Sequence, residues 1–293
     1  MKYPESEIRI TETPRDAQQG LPYIIPFEKR AAYINTLLKV GFDVIDFGSF
    51  VSPKAIPQMD EQERVLQLVD KAIGSSKLMA IVGNLRGGKD AASQEKLDII
   101  GFPFSMSETF LQKNINSSLP KAIETVDSLA LLCADSNKEL RIFMSMAFGN
   151  PYGDKWSSDE MEELISVFIK QGIKTITLSD TIGVATPDSI TEIFNRVLSK
   201  WPEIEFGLHL HTTADDWYDK IEAAWLAGCR SFDTVINGIG GCPMTGYEMI
   251  GNLDTLNLYK FINDFKISSR LDERALGSAI MMAAELYNVP FKN

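Results

Sequence analysis

Short apolar runs rich in Val, Ile, Phe and Thr alternate with longer stretches whose apolar positions recur every three to four residues. The short runs predict strands at 8–11, 44–48, 78–83, 97–102, 141–148, 175–179, 206–212 and 232–237. The longer stretches predict helices at 27–40, 61–73, 119–133, 159–171, 187–200 and 215–227. Start and stop signals sharpen several of them. Ser157 stands three residues before Glu160, a capping-box spacing, and Thr186-Pro187 puts a cap residue ahead of proline at the first helical position. Gly41, Gly172 and Gly228 fall where helix C-caps are expected. Eight strands alternating with helices predict a parallel (β/α)₈ barrel. An open doubly wound sheet is the other arrangement of such elements, but the glycine-rich turn it uses after an early strand is absent near Thr13. No linker or low-complexity run divides the chain, so residues 1–293 read as one barrel domain. From Leu256 onward one closing helix and an extra C-terminal helix around 273–287 are expected.

Composition narrows the partners. Hydrophobic residues make up 44% of the chain and charged ones 24%, as in a globular protein with a sizeable core. A formal net charge of −11 argues against nucleic acid or an anionic membrane surface as the main partner. A local group of Lys and Arg could still hold a small anion. The opening Met-Lys-Tyr-Pro-Glu-Ser-Glu-Ile is too polar for a signal peptide, and no apolar run approaches the ~18 residues of a membrane span. Together with three cysteines (Cys133, Cys229, Cys242), this predicts a cytoplasmic protein with reduced thiols.

The candidate chemistry gathers at the predicted strand ends, where a barrel of this kind carries its active site. His209 and His211, the only two histidines, lie two positions apart on one predicted strand and would face the same way, with Leu208 and Leu210 opposite. Two neutral imidazoles so placed suit a metal ion; two hydrogen-bonded core histidines are the plainer alternative. Arg15-Asp16 follows the first strand, and its plainer reading is a turn with a surface ion pair. Asp180 follows the sixth strand, and Gly-Gly-Cys242-Pro and then Gly251-Asn252 follow the eighth. An aspartate, two histidines and an asparagine carbonyl make an oxygen–nitrogen set suited to Mg²⁺ or Mn²⁺, with Zn²⁺ possible. Cys242 lies in a glycine-rich loop and could move a proton, or could simply be a buried cysteine in a tight turn. Alternation on the second strand puts Ile45 and Phe47 toward the helices. Val44, Asp46 and Gly48 then face inward, with Asp46 beside Arg15.

These residues resemble the hydroxymethylglutaryl-CoA lyase family of metal-dependent TIM-barrel carbon–carbon lyases and synthases. The resemblance runs in order from Ile8 to about Leu258 and includes Ser-Phe-Val-Ser-Pro-Lys at 49–54, Lys113-Asn114-Ile115-Asn116 and Asp180-Thr181-Ile182-Gly183. It implies cleavage of 3-hydroxy-3-methylglutaryl-CoA to acetoacetate and acetyl-CoA, an acyl-CoA substrate, no bound organic cofactor and a homodimer. It also implies a divalent metal held by Asp16, His209, His211 and Asn252. Asp16 or His209 would be the base, Arg15 the enolate partner, Cys242 the proton donor, and Asp46 would orient Arg15. The chain departs from the family at Thr11, Asp46, Thr212 and Leu256, where carboxylates of the family are replaced or shortened, so the acyl chain is left open. The alternatives are a Claisen-type acyl-CoA synthase or a pyruvate-releasing aldolase on the same barrel, and a non-catalytic barrel that only binds metal or acyl-CoA.

Overall fold

A computed structural model describes residues 7–241 and 250–289. Eight parallel strands close into a barrel in sequence order, each hydrogen-bonded to the next and β8 to β1. The strands are β1 (Arg9–Glu12), β2 (Val44–Ser49), β3 (Lys77–Ile81), β4 (Ile99–Ser105), β5 (Glu139–Ser145), β6 (Thr175–Ser179), β7 (Glu205–His209) and β8 (Ser231–Thr234). The crossovers hold α1 (Pro14–Gln19), α2 (Phe27–Leu37), α3 (Gln62–Leu68), α4 (Leu85–Ala92), α5 (Glu108–Ile115) and α6 (Leu119–Asp135) in the first half. They hold α7 (Ser158–Lys170), α8 (Pro187–Lys200) and α9 (Trp217–Leu226) in the second. Two further helices, α10 (Thr255–Phe265) and α11 (Glu273–Tyr287), follow the barrel, as the C-terminal pattern predicts.

The capping residues act as their chemistry dictates. Ser157 accepts the Glu160 N–H at the start of α7, and Thr186 and Ser189 form a reciprocal box at the start of α8. Gly41, Gly172 and Gly228 have φ of 91°, 87° and 98°, a left-handed conformation that glycine adopts without strain. Strand-facing apolar residues and the inner faces of the helices form one continuous core. A separate small cluster of Met79, Ile81, Ile99 and Phe143, with Val44 against it, fills the inside of the barrel.

Three boundaries differ from the sequence reading in ways that matter for the site. The seventh strand ends at His209 rather than running to Thr212, and His211 instead makes an isolated antiparallel bridge to Asn252. The first strand extends to Glu12, one residue further than expected. The alternation on β2 breaks at a register shift between Asp46 and Gly48. Gly48 therefore packs on the Gln62 side chain instead of sharing the inward face, and a Cβ there would stand 2.1 Å from Gln62 Oε1.

Candidate active site

The mouth of the barrel at the strand C-termini is a cavity of about 390 Å³. Its floor holds Arg15, Asp16, His209 and His211, and its walls include Val51, Ile56, Ile81, Phe110 and Phe143. Lys113, Asn114 and Asn116 border it at the end of α5.

Asp16 sits in α1, a helix of only six residues that Thr13-Pro14 begins directly after β1. This tight exit turns Asp16 toward the end of β7, one strand beyond the neighbouring β8. Its Oδ2 lies 3.6 Å from His209 Nε2. Ligand atoms of Asp16, His209 and His211 all lie within 4.8 Å of one another, and the two imidazole centroids are 5.4 Å apart. Each imidazole is oriented from behind. His209 Nδ1 stands 3.3 Å from Asp233 Oδ2, and His211 Nδ1 stands 2.7 Å from the Asp180 carbonyl oxygen. Both partners are acceptors, which puts the proton on Nδ1 and turns the Nε2 lone pair toward Asp16. Asn252 is brought alongside by its bridge to His211. Its Nδ2 donates to the Ile239 carbonyl at 2.9 Å.

The electrostatics favour a cation at this spot. Burial holds His211 down at about 4, with the neighbouring His209 adding to the effect, so its ring is neutral near pH 7. Burial opposes the charge on Asp16, but Arg15 and the two histidines outweigh it and lower its pKa. For His209, burial likewise works against the charged form, while Asp233 and Asp16 outweigh it and raise the pKa. His211 Nε2 and Asn252 Oδ1 are buried without a hydrogen-bond partner among the described residues. Two orphaned acceptors beside a carboxylate and a second imidazole suit a divalent ion with oxygen and nitrogen ligands.

Arg15 is gripped on both sides. Its Nε and Nη2 donate to Asp46 Oδ2 at 2.9 and 2.8 Å, and its Nη1 donates to Gln19 Oε1 at 2.8 Å. Gln19 in turn donates to Asp16 Oδ1 at 2.6 Å. Burial pushes Asp46 up to about 6 against the pull of Arg15, so it is ionised at neutral pH. Cys242 lies outside the described residues. Burial pushes Cys133 up to about 11 and Cys229 up to about 12, which keeps both as thiols.

Several contributors escape the linear pattern. Arg141 on β5 and Asp233 on β8 meet inside the barrel, Nη2 to Oδ1 at 2.6 Å, and Asp233 thereby joins Arg141 to His209. Lys220 on α9 is buried and donates to the His211 carbonyl at 3.2 Å. An acidic residue inside a predicted strand was the available signal for Asp233. Thr11 accepts from Arg141 Nη1 at 2.9 Å, the Thr212 N–H donates to the Gly251 carbonyl, and Leu256 is partly buried in the first turn of α10.

A closed parallel barrel with this cluster at the C-terminal ends of its strands has the layout of a barrel enzyme. The HMGL-like family profile matches residues 8–282, and the chain belongs to that family. The mitochondrial hydroxymethylglutaryl-CoA lyase of Homo sapiens is 30% identical over 270 residues, covering 92% of this chain and 82% of that protein. A hydroxymethylglutaryl-CoA lyase of Bacillus subtilis is 29% identical, covering 99% and 96%. Among solved structures, an HMG-CoA lyase from Acinetobacter baumannii in complex with coenzyme A and 3-methylmalate superposes with a TM-score of 0.91. Its identity is 27%, and the match covers 100% of this chain and 95% of that one.

Proposed function

We propose that the chain is a divalent-metal-dependent carbon–carbon lyase that splits 3-hydroxy-3-methylglutaryl-CoA into acetoacetate and acetyl-CoA. The observation that supports this reading is the cluster of Asp16, His209 and His211, with Asn252 bridged to His211, beside an arginine bonded to Asp46. Those four residues would hold Mg²⁺ or Mn²⁺. The bound ion supplies Lewis-acid activation of the substrate hydroxyl and a fixed seat for its oxygens.

The chain's own groups account for the remaining work. Asp16 or His209 takes the proton of the tertiary hydroxyl as the C2–C3 bond breaks. The bonding electrons pass into the thioester as an enolate, whose oxygen is stabilised by the Arg15 guanidinium. Protonation of the enolate carbon completes acetyl-CoA, and Cys242 is assigned that step on the family resemblance. The apolar wall of Val51, Ile56 and Phe143 excludes water from the carbanionic stage. Lys113 at the mouth suits the phosphates of a CoA arm. A cytoplasmic location and a homodimer complete the proposal; the resemblance supports the dimer.

The test is release of acetyl-CoA from 3-hydroxy-3-methylglutaryl-CoA. Cleavage with Mg²⁺ or Mn²⁺ that stops on chelation and returns on re-addition is the expected result. Release of pyruvate from 4-hydroxy-2-oxoacids with no thioester cleavage would replace the lyase reading with an aldolase. Tight metal binding with neither activity would leave a binding barrel.

A further inference from the structure

β1 ends with two polar residues that face opposite ways. Thr11 points inward to Arg141, whereas Glu12 points out of the lumen and is fully buried. Glu12 is bound from two elements. Its Oε2 accepts from Thr234 Oγ1 at 3.2 Å and from Thr255 Oγ1 at 2.6 Å, and its Oε1 accepts the Ile236 N–H at 2.8 Å. Thr234 ends β8 and Thr255 begins α10. Asn252 stands three residues before Thr255 and bridges His211. One carboxyl thus joins the end of β8 to the start of α10, next to the stretch that carries Asn252.

The neck it closes is tight. Asn237 turns the chain with φ of 71°, a left-handed conformation that asparagine adopts more readily than other residues with a side chain. A Cβ on Gly251 would stand 2.4 Å from the Gly238 carbonyl oxygen. One on Gly240 would stand 2.9 Å from both Asn252 Nδ2 and the Asp16 carbonyl oxygen. Small movements of this segment therefore move Asn252 relative to Asp16. Neck bonds also run from Val235 N–H to the Leu253 carbonyl, from Thr255 N–H to the Val235 carbonyl and from Asn237 N–H to Asp254 Oδ1. Among the described residues no cation pairs with Glu12. Burial pushes it up to about 8, with Asp254 adding to the rise, and the hydroxyls of Tyr33 and Tyr287 also face it. A neutral carboxyl in this place acts as a hydrogen-bonding clasp rather than as a charge.

We infer that Glu12 is a positioning residue, clasping the end of β8 to the start of α10 and thereby setting where Asn252 stands beside Asp16, His209 and His211. Its link to metal affinity and turnover rests on the proposed function; the clasp itself rests on the hydrogen bonds.

Three variants test it: Glu12→Val, Glu12→Gln and Thr255→Val. Each is measured by residue-resolved hydrogen exchange without metal, by Mn²⁺ titration and by kcat/KM. Glu12→Val should lose amide protection at 236–241 and 250–255 while β4 and β5 keep theirs, and should weaken Mn²⁺ binding by about 10-fold or more, the usual scale for losing support behind a ligand. Glu12→Gln should restore both. Its carbonyl still accepts the Ile236 N–H, and its amide hydrogens reach the two threonine hydroxyls. Thr255→Val, which keeps the carboxyl, should fall between. Wild-type protection and Mn²⁺ affinity in Glu12→Val would overturn the inference, as would a uniform loss of protection around the whole barrel. A wild type that binds no Mn²⁺ would count against the proposed function alone, and the exchange data would still decide the clasp.

Discussion

The two ends of the barrel treat polar groups in opposite ways. At the N-terminal ends of the strands, Arg9 pairs with Glu205, Lys77 pairs with Glu139, and Arg270 lies 3.9 Å from Asp43. Just inside, the Arg141 guanidinium donates to Thr177, Thr11 and Asp233. At the C-terminal ends, Asp46 Oδ1, His211 Nε2 and Asn252 Oδ1 are buried with no hydrogen-bond partner among the described residues, while Asp180 Oδ2 lies 3.6 Å from Lys220 Nζ. Leaving such groups unpaired costs about 1–3 kcal/mol each, so a fold selected only for stability would not collect them in one place. Ser76 Oγ, just before β3, is also unpaired, so what marks the C-terminal end is that its orphaned acceptors gather beside a carboxylate and a second imidazole.

The sharpest test of that contrast is His211→Ala. It deletes a neutral, oriented imidazole, so turnover should fall by at least ~10³-fold, about 4 kcal/mol at the transition state. Mn²⁺ affinity should fall with it, and the melting temperature should drop by only a few degrees, since the lost bond to the Asp180 carbonyl and the small cavity are partly offset by removal of the unsatisfied Nε2. A steady-state assay with a parallel thermal melt separates the two effects. Turnover within ~10-fold of wild type would make the mouth an ordinary polar pocket.

Asp46→Ala should act less severely. It frees Arg15 without touching the proposed ligands, and lowers turnover by at least ~10-fold, or ~1.4 kcal/mol, with Mn²⁺ binding kept. The same residue predicts a pH dependence. Burial raises Asp46 to about 6, and only its ionised form pairs with Arg15. As pH falls through about 6 the carboxylate takes a proton, the pair weakens, and kcat/KM should decline on the acid side. Asp46→Asn cannot ionise and should be slow across the range without that limb. An acid limb that persists in Asp46→Asn would assign it elsewhere, with Asp180, also pushed up to about 6 by burial, as the next candidate.

The sequence carried the local part of this site and missed the part made across the barrel. His209 and His211 were legible because extended backbone keeps positions two apart on one side, even though β7 stops at His209 and the bridge to Asn252 carries that geometry one step further. Asp46 could be set beside Arg15 because neighbouring parallel strands bring their ends together. Arg141 and Asp233 meet across 92 positions, and no periodicity encodes which inward side chain faces which over the lumen. Glu12 was lost to a single residue of strand boundary, which decides whether a side chain faces inward or outward. Helices α1, α4 and α5 were missed because six to eight residues are too few to display a period, and α4 contains Gly87 and Gly88.

The smallest expected effect belongs to the paired end. Lys77 begins β3 and Glu139 begins β5, and their side chains are 42% and 55% exposed. Water and salt screen such a pair, and holding two long side chains together opposes the attraction, so exposed pairs are worth about 0–1 kcal/mol. Lys77→Gln keeps the hydrocarbon stem and removes the charge. It should shift stability by about 0.5 kcal/mol or less, a change of one or two degrees in melting temperature for a chain of this size. Turnover should stay within about 2-fold of wild type, because among the described residues no bond links this pair to Arg15 or the histidines and the pair lies a strand's length from the mouth. Urea melts at low and high salt, run beside the steady-state assay, check both statements, since added salt should erase what little difference there is. A large loss of turnover in Lys77→Gln with stability unchanged would mean that the two ends communicate through the lumen, with Arg141 the side chain placed to connect them, and the division of labour between the ends would fail.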